Sequence, residues 1–91
     1  MNKFLKIAFT KKAARELRKL GSPERKRVLS FLQQLGSDPR AQGKPLHGEL
    51  SGIWRYRVGD LRILCRLEDD QLLILVLRIR RRDQVYRDPL G

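Results

Sequence analysis

The residues best able to do chemistry in this chain are arginines. Over Ile53-Trp54-Arg55-Tyr56-Arg57-Val58-Gly59-Asp60-Leu61-Arg62-Ile63, apolar and basic residues alternate on either side of Gly59-Asp60. That is the pattern of two antiparallel strands joined by a two-residue turn. Such a turn sets the register: Val58 opposes Leu61, Arg57 opposes Arg62, Tyr56 opposes Ile63, Arg55 opposes Leu64 and Trp54 opposes Cys65. Side chains alternate between faces, so Arg55, Arg57 and Arg62 share one face, and Trp54, Tyr56, Val58, Leu61, Ile63 and Cys65 share the other. Like charges directly across a strand pair destabilise it. The Arg57/Arg62 pair therefore makes physical sense where an anion sits between the two, and alanine at either position should leave the fold as stable or slightly more so. The plain alternative is that these long side chains simply reach into solvent from an exposed sheet face.

The C-terminal run Arg78-Ile79-Arg80-Arg81-Arg82-Asp83-Gln84-Val85-Tyr86-Arg87 leaves the last strand beside that face. Arg78, Arg80, Arg81 and Arg82 bring further guanidiniums, and Tyr86 offers a ring on which an unpaired base can stack. Planar guanidinium forks hold phosphate oxygens in bidentate geometry, so the set suits an RNA phosphate. With a pKa above about 12, an arginine is a poor general base at neutral pH, so Arg57, Arg62 and Arg82 should act by positioning and by neutralising charge. Proton transfer has two candidates in the preceding loop, His47 and Glu49. Each has an ordinary alternative, solvation for the histidine and pairing with an arginine for the glutamate. Cys65 falls on the apolar face and reads as a small hydrophobe. There is no metal-ligand cluster, Cys-x-x-Cys, phosphate-cradling glycine loop or serine-triad pattern, so neither a metal nor another cofactor is expected.

The elements that must position these residues follow from periodicity. Lys3 to Phe9 reads as a first strand. Thr10 is a plausible helix N-cap, and Ala13, Ala14, Leu17 and Leu20 fall at helical spacing before Gly21. Ser22-Pro23-Glu24 repeats the start signal, with the serine as cap, and Val28, Phe31, Leu32 and Leu35 form one apolar stripe that Gly36 ends. Ser37 to Ser51 is a loop rich in turn residues. Beyond it the period switches to two, with strands over Ile53 to Val58, Leu61 to Leu67 and Leu72 to Ile79. The expected fold is α+β: a strand, an antiparallel helix pair and a three-stranded meander, making one four-stranded sheet with the helices on one face.

Ninety-one residues suffice for one domain, 1–91, and exclude a second core. The formal charge of +11, from 21 basic and 10 acidic residues, points to a polyanionic partner. All seven lysines precede Pro45, whereas the chain from Leu46 onward carries nine arginines. The longest apolar run, Leu72 to Leu77, is too short to span a bilayer. The N-terminus lacks a secretion signal and the lone cysteine fits a reducing compartment, so a cytoplasmic protein is expected.

The order strand, two helices, three strands, with Leu50-Ser51-Gly52-Ile53-Trp54-Arg55-Tyr56-Arg57-Val58-Gly59-Asp60-Leu61-Arg62-Ile63 in the hairpin and Arg82 followed by Val85-Tyr86, resembles the RelE branch of the RelE/ParE toxin superfamily. The resemblance spans about Lys3 to Tyr86. It implies the toxin of a type II toxin–antitoxin pair, a metal-independent endoribonuclease that cuts mRNA in the ribosomal A site and is neutralised by a cognate antitoxin. Matched position by position, it implies that Arg55 and Arg57 are the basic pair of the second strand, and that Arg62 opens the third. Arg82 is the arginine after the last strand and Tyr86 the terminal tyrosine. The implied catalytic set is Arg57, Arg62, Arg82 and Tyr86, while Arg55 and, from the basic C-terminal run, Arg78, Arg80 and Arg81 are expected to bind RNA. The antitoxin should cover the arginine face or displace the C-terminal segment, with Leu64, Leu73 and Leu75 available to anchor it. Two other functions fit such a chain: a ParE-like topoisomerase poison, and a basic nucleic-acid-binding module without catalysis.

Overall fold

The computed structural model describes residues 3–87, 89 and 90, with Tyr86 by its backbone alone. The elements run β1 (Lys6–Phe9), α1 (Lys11–Lys19), α2 (Ser22–Leu35), β2 (Lys44–Pro45), β3 (Ile53–Val58), β4 (Leu61–Glu68), β5 (Leu73–Arg81) and α3 (Arg82–Arg87). The sheet has five strands in the order β1-β5-β4-β3-β2, one more than the periodicity predicts. The extra strand, β2, is two residues long and lies inside the turn-rich loop, too short for a period of two to show. The first strand is also shorter than expected, and β1 pairs in parallel with β5, while the remaining pairs are antiparallel.

The helix pair forms for the reasons its sequence suggests, with one correction. Thr10 caps α1 by accepting the Ala13 N–H at 3.1 Å on its hydroxyl. In α2 the cap is Gly21, with extended backbone and no side-chain bond, so Ser22 is already the first helical residue. Between the helices and the sheet lies the main core, built on Val28, Leu32, Leu35, Tyr56, Ile63, Cys65, Ile74 and Val76. This is the apolar face anticipated from the hairpin. Burial pushes the Cys65 thiol up to about 12, consistent with a packing role and no nucleophilic one.

The opposite face is not left open. A third helix, which the sequence reading did not anticipate, folds back so that Val85 packs with Ile53 and Leu64, bordered by Leu46, Leu50 and Leu77. Leu64 is fully buried there and is therefore not an exposed anchor. Leu73 and Leu75 stay half-buried.

One turn is strained. Leu72 ends the Asp69–Gln71 turn in the left-handed region, at φ 52° and ψ 43°, a conformation unfavourable for a residue with a branched side chain. Leu72→Gly should therefore leave the stability unchanged or raise it by up to about 1 kcal/mol, because relieved strain offsets the lost packing. A urea-denaturation midpoint clearly below the parent's would show that the Leu72 side chain contributes more than its backbone costs.

Candidate functional site

The hairpin register is the expected one throughout, with Arg57 opposite Arg62 and Arg55 opposite Leu64. The next strand extends the pattern, because Arg62 also pairs with Arg80 of β5. Arg57, Arg62 and Arg80 thus form one row across three adjacent strands on the face away from α1 and α2. Strand spacing puts the Cα atoms of this row within about 10 Å of one another. One rung along, Lys44 of β2 pairs with Arg55, adding two cations to the same face.

The centre of the row is buried. Arg62 is only 4% exposed. Its Nη1 donates to the Gly59 carbonyl at 3.1 Å and to the Leu61 carbonyl at 2.9 Å, and its Nε is buried without a hydrogen-bond partner among the described residues. An unsatisfied buried donor is uncommon and calls for a physical reason. A phosphate brought against the row would set its negative charge among three adjacent guanidiniums.

Burial also changes the stability expected on removing this residue. Alanine at exposed Arg57 should leave the unfolding free energy within about 0.5 kcal/mol of the parent, as sequence reasoning suggests. Arg62→Ala strips two turn carbonyls of their donor and leaves a void, so it should lose about 1–3 kcal/mol. Urea titrations of the two variants side by side would check this; equal midpoints would mean that the Arg62 hydrogen bonds contribute nothing.

The C-terminal arginines divide between two faces. Arg78 and Arg81 were expected to bind RNA, yet both turn toward the helices. The Arg78 guanidinium donates to both carboxylate oxygens of Glu16, Nη2 to Oε2 at 2.9 Å, and Glu16 also accepts the Ile79 N–H at 2.9 Å. In the ladder Arg78 pairs with Leu64, next to the irregularity between Leu64 and Cys65, and its Nη1 also donates to the Leu90 carbonyl at 2.9 Å. Arg81 pairs with Leu61 in the ladder, which puts it on the helix side, where Nη1 meets Glu24 at 2.7 Å. That guanidinium holds the Glu24 carboxyl below its ordinary value. Arg80 stays with the row. Arg82 opens α3, exposed, with its backbone N–H held by the Asp60 carbonyl at 3.0 Å, so it starts beside the turn that joins Arg57 and Arg62. The side chain of Tyr86 lies outside the described residues.

His47 and Glu49 lie in the loop before β3, off the strand rungs that form the row. Both are exposed and precede Ile53, whose carbonyl accepts the Leu46 N–H. Arg57 is four residues farther along β3, roughly 13 Å away. Sequence reasoning missed Lys44, since a two-residue strand in a turn-rich loop has no periodicity to reveal it. It also missed a pocket of about 280 Å³ against the outer edge of β3, which Arg57 shares with the row.

Residues 7–86 match the family described as ParE toxin of type II toxin–antitoxin system, parDE. The toxin RelG of Mycobacterium tuberculosis is 35% identical over 82 residues, covering 89% of this chain and 94% of the relative. The toxin RelE of the same organism is 32% identical over 82 residues, covering 89% and 84%. The crystal structure of the toxin–antitoxin complex RelBE2 from M. tuberculosis contains a chain that superposes with a TM-score of 0.81 at 34% identity, over 90% of this chain and 94% of that one.

Proposed function

Since the chain belongs to the ParE toxin family of type II toxin–antitoxin systems, in its RelE-like part, we propose that it is a ribosome-dependent endoribonuclease that cuts mRNA in the A site. The whole chain, 1–91, acts as one toxin domain in the cytoplasm, and a cognate antitoxin neutralises it. The observation that carries this reading is the Arg57–Arg62–Arg80 row with a partnerless donor at its centre. A protein whose only task is to hold another protein has no need of three opposed arginines around a buried unsatisfied Nε.

Cleavage without a metal uses the 2′-hydroxyl of one nucleotide as nucleophile on the adjacent phosphorus. As the P–O2′ bond forms the P–O5′ bond breaks, solvent water takes the 2′-proton and returns one to the departing 5′-oxygen, and a 2′,3′-cyclic phosphate and a free 5′-hydroxyl result. Arg57, Arg62 and Arg80 hold the non-bridging oxygens, whose negative charge grows in the phosphorane-like transition state. Arg82, beside the turn, reaches the leaving-group side, and Tyr86 stacks on a base. Alignment of the 2′-oxygen with the scissile bond comes from the ribosome's grip on the codon, which supplies the proximity term. The antitoxin covers the arginine face, and the solved RelBE2 complex of a relative supports such a partner.

In vitro translation with primer extension on the mRNA tests the proposal. Cuts within codons that require the ribosome support it. A block of translation without new 3′ ends would make the protein a non-catalytic binder, and DNA damage in a topoisomerase assay without RNA cleavage would make it a topoisomerase poison. Because the +11 charge displaces counterions, binding to RNA should also weaken steeply with salt.

A further inference from the structure

The pocket on the outer edge of β3 is lined by Phe31 of α2, by Gln42, Gly43 and Lys44, and by Arg55, Tyr56 and Arg57. Among the described residues its lining contains three cations, one neutral amide and no acid. The ring of Phe31 packs at 58° on that of Tyr56, with centroids 5.7 Å apart, and is only partly buried, which leaves part of it to the pocket. The Tyr56 hydroxyl is spoken for, since it donates to the Pro39 carbonyl at 2.8 Å. What Tyr56 presents here is its ring.

The loop that forms the outer wall is held in place at several points. Besides the Tyr56–Pro39 bond, Arg40 makes a bidentate pair with Asp69, at 2.9 and 2.8 Å, and Lys44 pairs with β3. Gly43, at φ +69°, comes so close that a Cβ there would lie 2.5 Å from the Tyr56 ring and 2.6 Å from the Arg55 carbonyl. A recess held this way is formed before any ligand arrives, which lowers the ordering cost of binding.

Its size, near the lower limit of small-molecule sites, suits one nucleotide. An aromatic face stacks any base, an amide with both donor and acceptor can distinguish base edges, and cations at the rim take a phosphate. We propose that this pocket is a base-reading subsite: it takes one unpaired RNA nucleobase from the nucleotide flanking the phosphate on the arginine row. The base stacks on Phe31, Gln42 reads its edge, and Lys44 holds the neighbouring phosphate. Arg57 belongs to both pocket and row, so the RNA strand turns over the edge of β3 between them. The assignment rests on the RNA-cleaving function proposed above and deepens it to sequence preference.

Two measurements test it. In the first, nucleoside 3′-monophosphates of the four bases are titrated into the full chain, with inorganic phosphate as control, and NMR resonances are followed. The Gln42, Gly43 and Lys44 amides and the Phe31 ring should shift, one base should bind best, and the double variant Gln42→Ala/Lys44→Ala should bind about tenfold more weakly. Shifts confined to β3–β5, equal effects from phosphate alone, or wild-type binding by the double variant would each overturn the subsite. In the second, cut sites are mapped on translating ribosomes. The ratio of cutting between favoured and disfavoured bases should fall toward one in the double variant, and an unchanged ratio would overturn the proposal. A wild-type protein that cuts no mRNA would instead overturn the cleavage function, while the titration still reports on the pocket itself.

Discussion

Arg57→Ala is expected to slow mRNA cleavage on programmed ribosomes by about a hundredfold or more, the scale seen when one preorganised charge-stabilising donor is removed. Arg57 is exposed and stands directly opposite Arg62, so its removal relieves a like-charge pair without opening the core and should leave folding intact. Arg80→Ala should behave similarly because Arg80 completes the row on the other side. The informative contrast is Arg81→Ala. Arg81 is one residue away in sequence but faces Glu24 of α2, and its removal should reduce cleavage only a few-fold, through weaker long-range attraction of RNA. Quenched-flow cleavage of a defined codon, measured for the three variants at one ionic strength, separates the row from the general basic surface. Equal losses for Arg80 and Arg81 would mean that total charge, and no particular alignment, carries the activity. Full activity after changing both Arg57 and Arg62 to alanine would place the site on another face altogether.

The largest expected effect on stability comes from Gly36→Ala, and local and tertiary reasoning disagree about its sign. Gly36 follows α2 in a right-handed helical conformation, φ −58° and ψ −21°, which alanine adopts readily. By propensity alone the substitution would stabilise by about 0.4–1 kcal/mol. The close neighbour reverses this. A Cβ at position 36 would lie 2.4 Å from the Phe4 carbonyl oxygen, and the Phe4 N–H donates to the Gly36 carbonyl at 2.8 Å. The obstacle is backbone, which cannot rotate away as a flexible side chain would. Separating the two segments would sacrifice that hydrogen bond and shift buried Phe4 from the main core. The net result should be a loss of about 2–3 kcal/mol, or roughly 10–20 °C in Tm for a domain of this size. Calorimetry on the alanine variant checks it, and a Tm at or above the parent's would show that the first residues yield freely.

Local rules reached farthest where the interacting residues are neighbours in the chain. The two-residue turn at Gly59-Asp60 and the alternation around it determine every pair from Ile53/Arg66 to Val58/Leu61, because a hairpin's register is set by its turn and its faces by a period of two. Thr10 at the start of α1, the apolar stripe of α2, the helix-facing side of the meander and the excess positive charge are equally local facts. The arginine pair at the heart of the site was therefore legible from sequence alone.

What lay beyond that reading depends on segments that meet only after folding. Arg57, Arg62 and Arg80 become one row because β5 docks on β4, 18 residues away from Arg62 in the case of Arg80. Which arginines of the C-terminal run are held by a glutamate is decided by where Glu16 and Glu24 come to rest against β5. Leu64 is buried because Val85 of α3 and Leu46 and Leu50 of the loop before β3 pack with it, and Lys44 joins that face through a strand of two residues. Composition and spacing determine which groups the chain carries and which can share a strand face. Burial and partnership are properties of packed surfaces, set by the joint energy of elements far apart in sequence, and so only the tertiary structure decided them.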